Sequence, residues 1–396
     1  MGRRYKNYQA KKRSFNRYNG RSSYAGRRIK TFNPTELINN PQIVEEKEEY
    51  KILHSFSDFK ISSELRKNIL DKGYKDPTPI QDQVIEPILE GKDLVGVANT
   101  GTGKTAAFLI PLVNKVLEDR YNKVLILAPT RELAFQIRDE LISFTRYLKI
   151  YSSLCIGGEK INKQFRELSR NPNFVIATPG RMLDLIRSRK IDLRDFSSVV
   201  LDEADRMVDI GFIKDIKYII SLLPQNRQSL FFSATINKDV KQILETFVKN
   251  PVTVSVKQKD IIENITQQVV DVWKVGTKFD TLFKLLTREE FSKVLVFGRT
   301  KHGVQKLSDE LSYKGLKSVA IHGNKNQSQR IKALARFKRD EVQVLVATDV
   351  ASRGLDIPNV SHVINYDLPE SYEVYIHRIG RTGRADKKGV ALTFIN

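Results

Sequence analysis

The chain of 396 residues predicts an α/β protein of two tandem domains. Its length exceeds a single ordinary domain, which runs to about 100–200 residues. Short apolar runs alternate with longer stretches of helical period, the pattern of a parallel sheet flanked by helices. That rhythm pauses once, over the polar residues 257–264, and then resumes. A composition 40% hydrophobic and 29% charged supplies enough apolar material for two cores.

The first 55 residues stand apart. Residues 1–30 hold eleven Lys or Arg and no acid, and Tyr5, Tyr8, Phe15, Tyr18 and Tyr24 are interleaved with them. Such a segment buries too little to offset its ordering entropy, so a disordered tail is expected. Cations that attract phosphate, mixed with rings that stack on bases, read as a nucleic-acid-binding tail. A merely solubilising or appended tail is a second reading. An organelle transit peptide is a third, weakened by the lack of any Leu before Leu37. Residues 31–55 reverse sign at Glu45, Glu46, Glu48 and Glu49 and read as a connector. Removing the eleven tail charges from the formal +21 leaves +10, so the folded part is basic as well.

The first domain is expected over 56–256, with buried strands at 93–98, 123–128, 174–178, 198–202 and 229–233 and a short run at 252–256. The linker is 257–264. The second domain follows over 265–396, with strands at 268–273, 293–297, 317–321, 342–347, 361–366 and 389–394. The segment Ala98-Asn-Thr-Gly-Thr-Gly-Lys104-Thr105 lies between a strand and a helix. Glycines there let backbone N–H groups wrap phosphates, Lys104 meets the β and γ phosphates, and Thr105 reaches Mg2+. The general pattern begins with Gly where this chain has Ala98, so the segment alone could be an ordinary Gly-rich turn. The acids that follow the strand 198–202 narrow the choice. Asp202 at a strand's carboxyl end can hold Mg2+, and Glu203 can orient and deprotonate an attacking water. Together the two motifs predict hydrolysis of a nucleoside triphosphate.

Asp202-Glu203-Ala204-Asp205, with further motifs in order, resembles the DEAD-box ATP-dependent RNA helicases from Phe56 onward, with HGNKNQSQR in a bacterial style. The resemblance implies two RecA-like parallel-sheet domains, ATP and Mg2+ as cofactors, and RNA as the partner. Gly73-Tyr74-Lys75-Asp76-Pro77-Thr78-Pro79-Ile80-Gln81 resembles the adenine-reading motif. There Gln81 specifies adenine, Tyr74 stacks on the base, and Phe56 is the isolated upstream aromatic. Thr100, Gly101, Thr102, Gly103, Lys104 and Thr105 form the phosphate loop. Pro129-Thr130-Arg131-Glu132-Leu133, Gly157-Gly158 and Thr178-Pro179-Gly180-Arg181 look like a track for the RNA backbone, with Pro129, Thr130 and Arg131 as contacts in the first, giving affinity but no sequence choice. Ser233-Ala234-Thr235 resembles the motif that couples hydrolysis to strand separation by bonding Asp205. In the second domain the resemblance gives Gln327, Arg330 and Thr348 to RNA and Asp356 to the ATP ribose. His377 joins the coupling set, and Arg381 and Arg384 reach the γ-phosphate as arginine fingers.

The implied mechanism is closure of two half-sites on ATP and RNA together, bending one strand and melting short duplexes locally. A passive RNA clamp and a double-stranded DNA translocase are the rival classes. Intact Lys104, Glu203, Arg381 and Arg384 argue against the first, and Gln81 with the DEAD sequence against the second. One cysteine, Cys155, excludes an internal disulfide framework, and no apolar run reaches the roughly 18–20 residues of a membrane span. A cytoplasmic monomer without membrane contact is expected, with ribonucleoprotein or ribosome-assembly partners. Twelve residues follow Arg384, fewer than is usual in the family, so a short or incomplete second domain is expected.

Overall fold

The structure, a computed structural model, describes residues 50–99, 101–256, 265–272, 276–349, 357, 360–383 and 388–395. The tail to residue 49 and the linker 257–264 lie outside them. The first half runs α1 (Ser63–Asp71), α2 (Pro79–Leu89), β1 (Leu94–Ala98), α3 (Lys104–Glu118), β2 (Val124–Leu127), α4 (Arg131–Phe144), β3 (Ser152–Cys155), α5 (Ile161–Leu168) and β4 (Phe174–Ala177). It continues through α6 (Pro179–Arg187), β5 (Ser198–Leu201), α7 (Ala204–Asp209), α8 (Ile213–Ser221), β6 (Gln228–Ser233), α9 (Lys238–Phe247) and β7 (Val252–Val256). The second half runs β8 (Ile265–Asp271), α10 (Lys278–Leu286), β9 (Val294–Phe297), α11 (Lys301–Tyr313) and β10 (Ser318–Ile321). It ends with α12 (Gln327–Lys338), β11 (Val344–Ala347), β12 (His362–Asn365), α13 (Tyr372–Ile379) and β13 (Gly389–Ile395).

Both sheets are parallel throughout, in the orders β3-β4-β2-β5-β6-β1-β7 and β10-β11-β9-β12-β13-β8. The sequences VLIL, FVIA and SVVL of β2, β4 and β5 are buried at every position. Continuous burial is what helices on both faces impose, and it explains why these strands do not alternate in polarity. One face of the first sheet packs Ile126 and Val200 against Leu65, Ile85, Phe108 and Ile137 of α1 to α4. The other packs Leu125 and Val199 against Met182, Ile219 and Ile243 of α6, α8 and α9. Each buried aliphatic side chain contributes about 1.5–3 kcal/mol, so these two layers fix the sheet before any loop is considered.

Two elements differ from the sequence reading. Strand β3 carries Ser152 and Ser153 and is an edge strand, so its polarity hides it from a search for apolar runs. Strand β8 starts at Ile265, before the apolar run at 268, because it is also an edge and leaves Thr266 exposed. Parallel pairing has one consequence for function. The loops after β1, β2, β3, β4, β5 and β6 all emerge at the same carboxyl edge, where α/β sheets bind ligands.

Candidate functional site

The phosphate loop turns from β1 into α3. Gly103 takes φ +92°, and a Cβ there would collide with Gln81 Nε2, so only glycine lets the two motifs meet. Gln81 is fully buried at the start of α2; its Nε2 donates to the Gly103 carbonyl at 3.1 Å and its Oε1 accepts from Thr78 N–H at 3.0 Å. Thr102 is buried and its hydroxyl donates to Asn99, while Gly101 is exposed and Thr105 half-buried in the first turn of α3. Lys104 Nζ donates to the Ala98 carbonyl at 2.6 Å, folded against its own loop.

Tyr74, the expected base stacker, is half-buried. Tyr74 donates its hydroxyl to Glu140 at 2.6 Å and meets Phe56 and Phe144 edge-on at 6.2 and 5.7 Å. Phe56 is 2% exposed and belongs to the core. In this structure both rings act as packing between the adenine-reading segment and α4. Asp82, beside Gln81, carries no signal in the sequence. It accepts from Tyr50 Oη at 2.8 Å, Leu53 N–H at 2.8 Å and His54 N–H at 3.1 Å, tying residues 50–54 to α2.

The acids after β5 are buried. Burial pushes the Asp202 carboxyl up to about 7, against the pull of Lys104, and its Oδ1 has no hydrogen-bond partner. Such an oxygen suits a small hard cation. Glu203 adopts φ 52° at the start of α7, a left-handed conformation that non-glycine residues rarely take. Burial alone would raise its carboxyl, but Arg206, Lys104 and Arg381 together hold it below the usual carboxylate range. Arg206 Nη1 donates to Glu203 Oε2 at 2.6 Å. Asp205 Oδ2 accepts from Ala234 N–H, Thr235 N–H and Thr235 Oγ1 at 3.1, 3.0 and 3.1 Å. Ser233 Oγ accepts from Asp205 N–H at 3.3 Å, so the loop after β6 reads the position of the acids directly.

The loops expected to follow the RNA backbone share the same edge. Thr130 caps α4 by accepting from Leu133 N–H at 3.3 Å. Thr178 occupies the position before α6 without a side-chain capping bond, with Pro179 buried at the first turn and Gly180 half-buried. The Arg131 guanidinium lies on Gly157 and Gly158; at Gly158, φ +82°, a side chain would overlap it. Arg181 Nη1 donates to Gln164 Oε1 at 2.9 Å, and Gln164 Nε2 to the Ile156 carbonyl at 2.9 Å. Gln164 is fully buried and is not legible as functional, because it sits in the otherwise polar run INKQFREL.

The second half meets the first at Glu132. Gln327 Nε2 donates to Glu132 Oε1 at 3.0 Å, and Arg330 Nε lies 3.2 Å from the same oxygen. Both side chains, expected on RNA, are engaged across the cleft by a carboxylate that the sequence does not single out. Gln327 Oε1 is buried without a partner. Thr348 is buried at the end of β11, and Arg381 is 5% exposed after α13. His377 is half-buried on α13. Arg378, between them, is structural: it grips Asp349 bidentately at 2.6 and 2.7 Å and donates to Asn365 and the Asp367 carbonyl. Thr100, Asp356 and Arg384 lie outside the described residues.

Residues 78–243 match the DEAD/DEAH box helicase family and residues 277–386 the helicase conserved C-terminal domain. The chain is 47% identical to the DEAD-box ATP-dependent RNA helicase CshA of Bacillus licheniformis, over 86% of this chain and 70% of that protein. CshA of Bacillus subtilis is also 47% identical, over 86% and 69%. Among solved structures, S. cerevisiae Dbp5 bound to RNA and ADP BeF3 aligns with a TM-score of 0.76 at 32% identity, covering 86% of this chain and 89% of that one. The DEAD-box helicase Mss116 bound to ssRNA and UDP-BeF aligns at 0.78 and 32%, covering 88% and 76%. With the acids, the phosphate loop and the cross-cleft contacts in this arrangement, the chain belongs to the DEAD-box ATP-dependent RNA helicases.

Proposed function

We propose that this RNA helicase acts by closing its halves on Mg-ATP and RNA together, and that closure separates short duplexes locally or remodels RNA–protein complexes. The observation that carries this reading is the contact between the halves, where Gln327 and Arg330 of the second meet Glu132 of the first beside the phosphate-loop edge. Gly101 to Lys104 and the N-terminus of α3 offer N–H donors to the phosphates. Magnesium fits the partnerless Asp202 oxygen, with Thr105 as second holder. Among the described residues no three acids, histidines or cysteines cluster as a metal cage. That matches an ion taking one or two protein ligands plus phosphate oxygens. When bound, it neutralises charge on the transferring phosphoryl group.

Glu203, kept ionised, accepts from the attacking water and orients it. Arg381 stabilises the charge that develops on the γ-phosphoryl group, a role assigned with Arg384 on the family pattern. Gln81 is the proposed reader of adenine, and Asp356 of the ribose. On the RNA side, the partnerless Gln327 Oε1 suits a 2′-hydroxyl donor, which DNA lacks. Arg131, Gly158, Arg181 and Thr348 supply sequence-independent backbone contacts. If closure unstacks three or four steps at about 1.4 kcal/mol each, the cost is about 5 kcal/mol. Binding contacts can meet that cost for short duplexes. Ribonucleoprotein or ribosome-assembly partners, a monomeric state and a cytoplasmic setting belong to the same proposal; the single cysteine fits a reducing compartment.

Glu203→Gln tests the assignment. Turnover should disappear while ATP-dependent RNA binding survives. Loss of RNA binding as well would remove Glu203 from the role of water acceptor.

A further inference from the structure

Three loops at the opposite, amino edge of the first sheet form a surface that the catalytic reading leaves unused. Strands β2, β4 and β3 are neighbours and parallel, so residues 119–123, 145–151 and 169–173 meet where these strands begin. They are bonded to one another. Arg120 Nη1 donates to the Leu148 carbonyl at 2.9 Å and Asn173 Nδ2 to the Arg120 carbonyl at 3.0 Å. Tyr151 N–H donates to Asn173 Oδ1 at 3.3 Å, and Phe174 N–H to the Tyr151 carbonyl at 3.1 Å.

This built platform exposes three rings. Tyr121 is 92% exposed, Tyr147 86% and Tyr151 65%. Arg120, Arg146, Lys149 and Arg170 are exposed among them. Lys123 is paired with Asp195 at 2.8 Å, and the one acid of the three loops, Asp119, accepts from Tyr121 N–H at 2.9 Å. Arg146 lies 5.2 Å from the centre of the Tyr147 ring. Tyr147, Lys149 and Asn171 take φ of 65°, 52° and 52°, three of the seven non-glycine residues with positive φ among those described. A left-handed backbone carries a cost at Tyr147 and Lys149, and strained residues of this kind cluster at ligand-binding surfaces.

Exposed rings interleaved with cations on a rigid support have the chemistry of a single-strand platform. Bases stack on the rings and phosphates meet the cations, without sequence choice. An acidic protein partner would match the cations as well, and the test separates it because it predicts no change in RNA affinity. We infer that the surface built from Tyr121, Tyr147 and Tyr151 with Arg146, Lys149 and Arg170 is a second RNA-binding site, which takes single-stranded RNA flanking the segment held in the cleft. Strand β2 alone, four residues long, separates the two edges by about 13 Å. A strand held in the cleft needs at least about four further nucleotides, at about 3.4 Å each, to cover that distance, so a longer oligonucleotide can wrap onto the platform and one that only fills the cleft cannot. The site is independent of the roles assigned to residues in the cleft.

The test compares wild type with Tyr121→Ala/Tyr147→Ala/Tyr151→Ala and with Arg146→Glu/Lys149→Glu/Arg170→Glu, each in the full chain. Fluorescence anisotropy is measured with single-stranded RNA of about 6 nucleotides, which spans only about 20 Å, and of about 30 nucleotides. Since stacking is worth about 1–3 kcal/mol per base, the aromatic variant should bind the long RNA at least tenfold more weakly. The charge variant should lower the salt slope for the long RNA by about 2, at roughly 0.7 for each phosphate no longer neutralised. Affinity for the short RNA and the ATPase rate it stimulates should stay at wild-type values in both. Long-RNA affinity unchanged in both variants, the result expected if this face holds a protein, overturns the inference. So does an equal loss for short and long RNA, which would place the defect in the cleft or the fold.

Discussion

Glu132→Ala is the perturbation with the clearest consequence, because one buried carboxylate joins the two halves. It removes the acceptor for Gln327 Nε2 at 3.0 Å and the partner of Arg330 at 3.2 Å. A hydrogen bond to a charged group contributes about 1.5–3 kcal/mol, and breaking a well-buried ion pair costs about 3–5 kcal/mol. The Arg330 side chain retains 16% exposure against 5% for Glu132, so the pair is partly wetted and the lower end applies. A net loss of about 3 kcal/mol shifts the closing equilibrium by roughly 150-fold. Phosphate-loop contacts are untouched, so ATP should bind the first half as before. The expected readout is a rise of about 100-fold in the RNA concentration that half-saturates ATPase activity. Glu132→Gln should fall between, since it keeps an acceptor for Gln327 but loses the charge. A cycle with Arg330→Ala should give a coupling of about 1 kcal/mol or more. Wild-type RNA dependence in Glu132→Ala would refute the assignment of this contact as the closing latch.

Other outcomes follow from individual residues. Gly158→Ala places a methyl group against the Arg131 guanidinium at φ +82°, and should weaken RNA binding severalfold while leaving ATP affinity intact. Equilibrium titration with labelled RNA measures it. Burial would raise Asp82, but donors from Leu53, Tyr50 and His54 outweigh this and hold its carboxyl below the usual range. Its contribution is therefore present above the unfolded value of about 3.9 and is lost as pH falls through the lower folded value. Asp82→Asn should lower Tm at pH 7, and the gap from wild type should narrow as pH falls below about 3.9; a gap that widens there contradicts the sign. Deleting residues 1–49 should weaken RNA affinity in a salt-sensitive manner, with ATPase at saturating RNA unchanged. Filter binding across a salt series reads the first, and a steady-state ATPase assay the second.

Much of this molecule is legible in its sequence because its chemistry is local. Strands buried on both faces announce themselves as VLIL or FVIA, and phosphate loops and strand-end acids have fixed spacing around them. What stays hidden depends on neighbours distant in the chain. Edge strand β3 is half polar, and only its pairing with β4 makes it a strand. Glu132 lies in a recognisable motif, in the first turn of α4, yet its partners are 195 residues away at Gln327 and further on at Arg330. Arg378 sits near arginines that the motif assigns to ATP, but its bidentate grip on Asp349 is set by the packing of α13. Tyr74 has the spacing of a base stacker, and its hydroxyl instead finds Glu140 on α4. Each is a tertiary contact that spacing alone does not encode.

The central claim is that hydrolysis requires both halves and that RNA brings them together. Its most direct measurement is the steady-state ATPase rate of the full chain with single-stranded RNA, with DNA of the same sequence, and with neither, repeated for Arg381→Ala. The account predicts strong stimulation by RNA, little by DNA, and loss of the RNA-stimulated rate in the variant. Equal stimulation by RNA and DNA, or an RNA-stimulated rate that survives without Arg381, would contradict it.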